Sequence, residues 1–236
     1  MSSIKEHSVV EKPLNPISGF IALGVVAALF ILMIPLFLLA ISGEGITFLL
    51  IIVYVYWGII FPISIFGFRI IKPNESAVYT LFGKYYGTLA KEGFYFINPF
   101  CAVVNSKISR RTNVFSNLVK NARDSKGNLI EVNTEIIWRV ENATKAVFSV
   151  DNYKDFVEAQ CEFSVRTSVK KFPYYPGKGK DSKALSVDFD DVAAKIKSNL
   201  QSRVSEAGAE ILELRILTVD KVYKPKKLPK KEPGNV

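Results

Sequence analysis

The sequence predicts an α+β protein with an N-terminal transmembrane helical hairpin. Two uncharged apolar runs, residues 17–41 and 46–68, follow one another near the N-terminus and predict the hairpin. Beyond them, β-like runs come first, and two helical patterns and a last strand follow. That order is typical of α+β folds rather than of repeated βαβ units.

We expect four segments along the chain: a cytoplasmic tail over residues 1–16, a two-span hairpin over 17–68, a soluble domain over 69–219 and a Lys/Pro-rich tail over 220–236. The soluble part is long enough for one domain with its own core. The 236 residues include 31 Lys and Arg against 22 Asp and Glu, a net charge of +9.

Each apolar run is long enough to cross a bilayer. As helices, the two runs would measure about 37 Å and about 34 Å, and the hydrocarbon core is roughly 30 Å thick. The connection over 42–45 holds two glycines, which suits a tight turn. We expect Pro35 and Pro62 to kink the helices. A cleaved signal peptide is disfavoured because a second span follows at once, whereas a re-entrant hairpin remains an alternative.

Basic residues predict the orientation of the hairpin. Lys5 and Lys12 precede the first span, and Arg69, Lys72 and Lys84 follow the second, whereas the connection has no Lys or Arg. Loops rich in Lys and Arg stay on the cytoplasmic side. We therefore expect an integral membrane protein with both termini and the soluble domain in the cytoplasm, and a re-entrant hairpin would give the same answer.

The soluble part begins with short β-like runs over 77–82, 94–97 and 103–108. The clearest strand is Leu129–Val140, in which apolar and polar residues alternate. The residues that we expect on its buried face are Ile130, Val132, Thr134, Ile136, Trp138 and Val140.

Helical periodicity follows. Apolar residues recur at every fourth position over 152–172, and Pro173 ends this helix. A second helix, capped by Asp188 or Asp190, runs up to Gly208, and a strand over 209–219 follows. The tail over 220–236 should be extended or disordered, and its six lysines could touch anionic lipid.

The residue inventory excludes many enzyme classes. The only histidine, His7, lies in the N-terminal tail, which removes histidine-based triads and metal sites from the soluble part. Cys101 and Cys161 are far apart in the sequence, and we expect them to be buried free thiols. We predict no catalytic residue, no metal and no cofactor.

The sequence leaves two alternatives to a non-enzymatic membrane protein. An anchored hydrolase could use a set of carboxylates, but their positions on a solvated strand face or at a helix start suggest structural roles. These carboxylates are Glu131, Glu135, Asp188, Asp190 and Asp191. The positive charge could instead indicate nucleic acid, but an anionic membrane already accounts for it, and no base-reading motif is present.

Several segments in the soluble part occur in the order of a known family. The segments are IKPNESAV (71–78), LFGKY (81–85), KEGFYFINPF (91–100), DSKGNLIEV (124–132), IWRV (137–140), AVFSVDNY (146–153) and SVR (164–166). Together they resemble the SPFH or band 7 family, which includes stomatin, prohibitin and flotillin. Glu92 stands where proline is usual. The family's later APEIA segment and long coiled coil do not follow here, so either this member is short or the sequence stops before them.

The resemblance implies an SPFH domain that lies against the membrane. It also implies homo-oligomers that border lipid microdomains and hold or regulate client membrane proteins, including membrane proteases. Aromatic and basic residues near the spans and in the tail are the expected contacts with the membrane surface. They are Tyr85, Tyr86, Phe100, Lys224, Lys226 and Lys227. We expect Phe94 and Phe96 to pack in the core.

Overall fold

The computed structural model describes residues 10–42, 47–104, 107–176, 184–185 and 187–222, with the side chains of 40–42 and 47–49 left out. The chain forms two compact units. Unit 1 comprises Met1–Arg111 and Val140–Tyr153, and unit 2 comprises Thr112–Arg139 and Lys154–Val236. The expected connection at Glu44, His7 and most of the Lys/Pro-rich tail lie outside the described residues.

Two apolar helical runs belong to unit 1. Helix α1 spans Gly19–Ser42, and the second run consists of α2 (Thr47–Val55), a π-helical segment (Tyr56–Ile60) and α3 (Phe61–Ile65). Ring contacts join the two runs in opposite order along the chain: Phe30 contacts Phe61 at 4.9 Å between centroids, and Phe37 contacts Tyr54 at 6.4 Å. The two runs are therefore antiparallel neighbours.

The two prolines occupy different positions in these helices. Pro35 lies inside α1. Pro62 lies in the first turn of α3, directly after the π-helical segment, where Phe61 N–H donates to the carbonyl of Tyr56. Proline has no N–H to donate and clashes with the carbonyl four residues before it. The π-helical segment lies directly before Pro62, where the missing N–H interrupts the regular helical hydrogen bonds.

The remaining elements of unit 1 form two small sheets and a short helix. Strands β1, β2 and β5 form a three-stranded sheet in the order β1-β5-β2, and β4-β3-β6 form the second, with β7 also paired to β3. Their bounds are Ile17–Ser18 (β1), Phe68–Ile71 (β2), Glu75–Leu81 (β3), Lys84–Leu89 (β4), Gly93–Phe96 (β5), Cys101–Val103 (β6), Ile108–Ser109 (β7) and, for helix α4, Ala143–Phe148. The buried core of unit 1 includes Ile71, Tyr79, Leu89 and Ile97.

Unit 2 is built on one antiparallel sheet in the order β10-β9-β8. Its elements are β8 (Asn113–Arg123), β9 (Leu129–Val140), α5 (Tyr153–Val169), α6 (Phe189–Val204), a 3₁₀ turn (Ser205–Ala207) and β10 (Ala209–Lys221). Strand β9 has the predicted bounds, and all six residues expected on its inner face are buried. The predicted strand phase is therefore confirmed.

Several elements differ from the sequence expectation. Strands β4 and β8 and helix α4 were not predicted, and the run expected over 103–108 is two short strands, β6 and β7. The ends of the apolar runs belong to strands: Ile17 lies in β1 and Phe68 in β2. Asp188 is the N-cap residue of α6 but makes no side-chain cap bond, because its carboxylate accepts from Ala184 N–H at 2.8 Å.

Candidate membrane-contact surface

Helix α1 has the surface of a lipid-exposed helix. Of the described helices, it alone is long and apolar enough to cross a membrane, over Gly19–Leu39, while Leu50–Ile65 is apolar but shorter. Only 6% of an 18-residue apolar window in that stretch is buried in the structure, whereas a core helix of a soluble protein would be largely covered. Phe20 and Ile31 are both more than 60% exposed. This apolar helix could therefore serve as a membrane anchor.

The sheet β1-β5-β2 carries an apolar face that is only partly covered. Directly opposite residues of paired strands share a face, and the register pairs Ile17 and Phe68 with Phe96, and Ile70 with Phe94. These five residues are defined here as the apolar sheet face. None of them is buried, and Ile17 and Ile70 are each more than 60% exposed.

The other face of the same sheet points into the core of unit 1. Ile71 is buried there, and Tyr95 packs against the core cluster. The alternation of β5 therefore sends Tyr95 inward and Phe94 and Phe96 outward. The expectation that Phe94 and Phe96 lie in the core is wrong, because the register with β1 and β2 places them on the outer face.

The helices meet the apolar sheet face through aromatic rings and glycines. Phe20 at the start of α1 makes an edge contact with Phe94 at 5.2 Å between centroids, and Phe68 stacks on Phe94 at 5.5 Å. A Cβ on Gly19 would lie 2.5 Å from the Phe94 ring, and a Cβ on Gly67 would meet the Phe96 ring. The backbone at Gly19 and Gly67 therefore lies closer to these two rings than a residue with a Cβ would allow.

Both ends of the apolar helical region connect to strand β5. Strand β1 leads directly into α1, and β2 begins three residues after α3 ends. These two strands pair with opposite edges of β5. Strands in a sheet lie about 4.8 Å apart, so β1 and β2 are separated by only about 10 Å.

The residues before β1 bind along the domain rather than extending away from it. Leu14 N–H donates to the carbonyl of Thr88 at 3.0 Å, and Thr88 N–H donates to that of Lys12 at 2.8 Å. Arg110 forms an ion pair with Glu11 at 2.7 Å. A Cβ on Gly87 would lie 2.6 Å from the Leu14 side chain and 3.1 Å from the Lys12 carbonyl oxygen, so a larger residue there would require this segment to shift.

Tyr85, one of the expected contact residues, is engaged within unit 1. Its hydroxyl accepts from Lys12 N–H at 3.0 Å and lies 2.9 Å from the Thr88 hydroxyl and 3.1 Å from that of Thr144. Its ring meets Phe148 edge-on. A contact of Tyr85 with a membrane stays a prediction.

The other expected contact residues are more accessible. Tyr86 is 37% exposed and lines a cavity of about 320 Å³ together with Ile17, Phe96 and Asn98. Phe100 is 59% exposed. Lys224, Lys226 and Lys227 lie outside the described residues, so their role also stays a prediction.

Most of the carboxylates considered for hydrolysis have ordinary structural surroundings. Glu135 lies 3.9 Å from Arg215 on the outer side of the unit 2 sheet, and Asp188 binds a backbone N–H. Asp190 and Asp191 are exposed in the first turn of α6, where the helix dipole favours acidic residues. Among the described residues, no group of three or more potential metal ligands is present.

Both cysteines are buried and free, as expected from the sequence. Burial raises the pKa of the Cys161 thiol to about 11, and burial also raises the pKa of Cys101. A thiol with a raised pKa is protonated at neutral pH and is a poor nucleophile. Cys161 and Cys101 therefore behave as packing residues.

Comparison with known proteins assigns the domain to a family. The family model described as "SPFH domain / Band 7 family" matches residues 69–224, more than half of the chain. The chain belongs to this family. A search of curated proteins found no match. The SPFH match confirms the resemblance, and the two apolar helical runs precede the matched region.

SPFH proteins are generally membrane-associated, non-enzymatic scaffolds. The matched region begins at Arg69, in the strand that follows the apolar helices, so the SPFH domain is joined directly to them. Sequence reasoning missed the apolar sheet face because it depends on long-range pairing. The alternation of Phe94, Tyr95 and Phe96 was the available signal, but it does not say which face is outward.

Proposed function

We propose that this SPFH protein is a membrane-anchored scaffold that self-associates at the membrane surface. It organises membrane microdomains and holds or regulates membrane proteins such as proteases. The observation that supports this most is the attachment of both ends of the apolar helices to β5, next to an apolar sheet face. Such a domain lies against the bilayer instead of hanging from a flexible linker.

The anchor is a two-helix hairpin in this proposal. Helix α1 has 24 residues and is about 36 Å long, which exceeds the roughly 30 Å hydrocarbon core. The second run, Thr47 to Ile65, is about 28 Å long and can be accommodated by tilt or local thinning. The apolar sheet face then continues the apolar surface of the helices into the interfacial region.

Both helix ends should lie on one side of the membrane. Strands β1 and β2 are about 10 Å apart on either side of β5, so they cannot emerge on opposite faces of a bilayer. The distribution of Lys and Arg makes this side the cytoplasm. The segment that binds along Thr88 then lies on the same side as the SPFH domain.

Cysteine labelling tests the hairpin. Ser42→Cys should react with a membrane-impermeant maleimide added outside sealed cells, because the connection reaches the far face. Ser125→Cys, in the exposed β8–β9 turn, is the matched control and should react only after permeabilisation. Native Cys101 and Cys161 are buried and should stay unlabelled. Labelling of Ser42→Cys only from inside would reject the two-span hairpin in favour of the re-entrant one.

Self-association follows from confinement in the membrane plane. Copies anchored in one bilayer share a high effective concentration, so weak lateral contacts between SPFH domains can form oligomers. The net charge of +9 also draws the domain toward anionic lipid and keeps it at the membrane surface. No nucleic acid and no cofactor take part in this proposal.

Cross-linking in native membranes tests the scaffold. Two differently tagged copies expressed together should be cross-linked to each other and form species larger than a dimer. Copies expressed separately and mixed only after solubilisation are the control for association during extraction. Exclusively monomeric protein in the co-expressing membranes would contradict the proposal.

A further inference from the structure

We infer that an aromatic pair, Phe82 and Phe100, inserts into the bilayer interface as a second attachment point of the SPFH domain. The two rings stack with 6.1 Å between centroids at an interplanar angle of 27°. We call this pair the aromatic tip. It is separate from the helices and from the apolar sheet face, and the inference rests on the proposed membrane anchoring.

The backbone at Phe82 is unfavourable for its residue type. Phe82 and Gly83 form the two-residue turn between β3 and β4, with φ of +49° and +80°. A two-residue turn with positive φ at both positions strongly prefers Asn-Gly or Asp-Gly. A bulky residue at positive φ is an outlier. Folding alone would favour a different residue at this position.

Phe82 is unfavourable for a second reason, because its large apolar side chain is exposed to solvent. Phe82 is 82% exposed, and Phe100 is 59% exposed. The Phe100 loop is ordered by its own hydrogen bond, in which Phe100 N–H donates to the Asn98 side chain at 3.0 Å. Backbone strain combined with an exposed apolar side chain is typical of functional sites.

The aromatic tip lies close to the base of the anchor. Ile97 N–H donates to the carbonyl of Gly67 at 2.9 Å, and Gly67 comes two residues after α3 ends. Phe100 follows three residues later, within about 11 Å along an extended chain. Strand pairing of Leu81 with Cys101 places Phe82 beside it. In the proposed anchoring, the bilayer is therefore the large apolar surface nearest to Phe82 and Phe100.

The charges around the tip suit anionic headgroups. Lys84 is exposed directly after the turn, and the stretches 81–86 and 98–104 contain no Asp or Glu. Aromatic rings are enriched at the membrane interface, and lysines near it are attracted to anionic lipid. The absence of Asp and Glu from these stretches leaves no acidic side chain in them that would repel anionic headgroups.

Spin labelling of the full chain tests the inference. Nitroxides are attached at Phe82→Cys, at Leu29→Cys in α1 and at Lys126→Cys in the exposed β8–β9 turn, each in vesicles of phosphatidylcholine and phosphatidylglycerol. Accessibility to oxygen and to a water-soluble nickel chelate then reports depth. We expect the labels at 82 and 29 to favour oxygen and the label at 126 to favour nickel.

The outcomes separate the two proposals. A Phe82→Cys label as accessible to nickel as the one at 126, with the label at 29 in lipid, would overturn the tip and leave the anchor intact. Water-like labels at both 29 and 82 would refute the anchoring itself. A label at 82 shielded from both reagents would indicate a protein contact, such as a second copy, and would also overturn the tip.

A conservative variant separates lipid contact from folding. Phe82→Asn retains the turn, because Asn-Gly is the preferred pair for it. A label at Phe100→Cys should become more accessible to nickel in the Phe82→Asn background, with an unchanged or higher thermal midpoint. Unchanged nickel accessibility of the Phe100→Cys label would count against a shared insertion.

Discussion

Trp138→Ala should destabilise unit 2 by about 3 to 5 kcal/mol, because a fully buried large aromatic is replaced by a cavity. Trp138 is 3% exposed and lies on the inner face of β9. Hydrogen exchange of the Leu129–Val140 amides in the intact protein measures the effect. Because each 1.4 kcal/mol is a factor of ten, exchange through unfolding should accelerate at least about a hundredfold.

The protein offers a matched control for this substitution. The sequence has two tryptophans, and the other one, Trp57, stacks on Phe30 in the apolar helices. Trp57→Ala should leave exchange in β9 unchanged, since it removes a ring from another part of the chain. A destabilisation by Trp138→Ala of less than about 1 kcal/mol would contradict the packing of the inner face.

Asp124→Asn should lower the free energy of unfolding by about 2 to 4 kcal/mol, because N–H donors would then face an amide NH2 group that cannot accept their hydrogen bonds. In unit 2, Asp124 accepts from Lys126 N–H at 2.9 Å, Asn128 N–H at 2.7 Å, the Asn128 side chain at 2.7 Å and Tyr174 N–H at 3.1 Å. One carboxylate therefore joins the β8–β9 turn to the segment after α5. Hydrogen exchange at both segments measures the loss.

The same contacts predict a pH dependence. Burial acts to raise the pKa of Asp124, but hydrogen bonds from the Asn128 side chain and from the backbone of Tyr174, Asn128 and Lys126 outweigh it, and the pKa is lowered. A carboxyl with a lowered folded pKa stabilises the fold above its unfolded pKa of about 3.9. This stabilisation should disappear as pH falls from there through the folded pKa.

Comparison of variants isolates the contribution of Asp124. Asp124→Asn should reduce the acid dependence of unfolding below about pH 4. Asp151→Asn, at an exposed residue, is the matched control. Equal acid dependence in wild-type and Asp124→Asn proteins would show that the carboxylate of Asp124 is not the responsible group.

Local periodicity predicted the elements whose pattern is complete in the sequence. Strand β9 alternates without interruption, and α5 and α6 repeat at helical spacing, so these elements and their buried faces followed. The helices end at Val169 and Val204, before the predicted ends at residue 172 and Gly208. Strand β4, with its glycine and two tyrosines, has no such alternation and was missed. The α+β class of the SPFH domain was thus predictable, while the apolar runs could not reveal where helix gives way to strand.

The candidate contact surface depends on pairings that no local pattern encodes. Lys12 N–H donates to the Tyr85 hydroxyl across 73 positions of the sequence, a contact that no local pattern predicts. Phe82 was predicted to end the β-like run over 77–82, but it lies in the turn after β3 and is 82% exposed. Phe100, which the sequence analysis places at the membrane surface, is 59% exposed, and its contact with a membrane stays a prediction.

The direct passage from β1 into α1 has a mechanical consequence. No linker separates Ser18 from Gly19, and the Phe94 ring fills the space beside Gly19, so the helix and the strand turn together. A helix longer than the local bilayer tilts, and its tilt decreases as the bilayer thickens. In the proposed anchor, a change in the tilt of α1 with bilayer thickness would therefore rotate the β1-β5-β2 sheet with it.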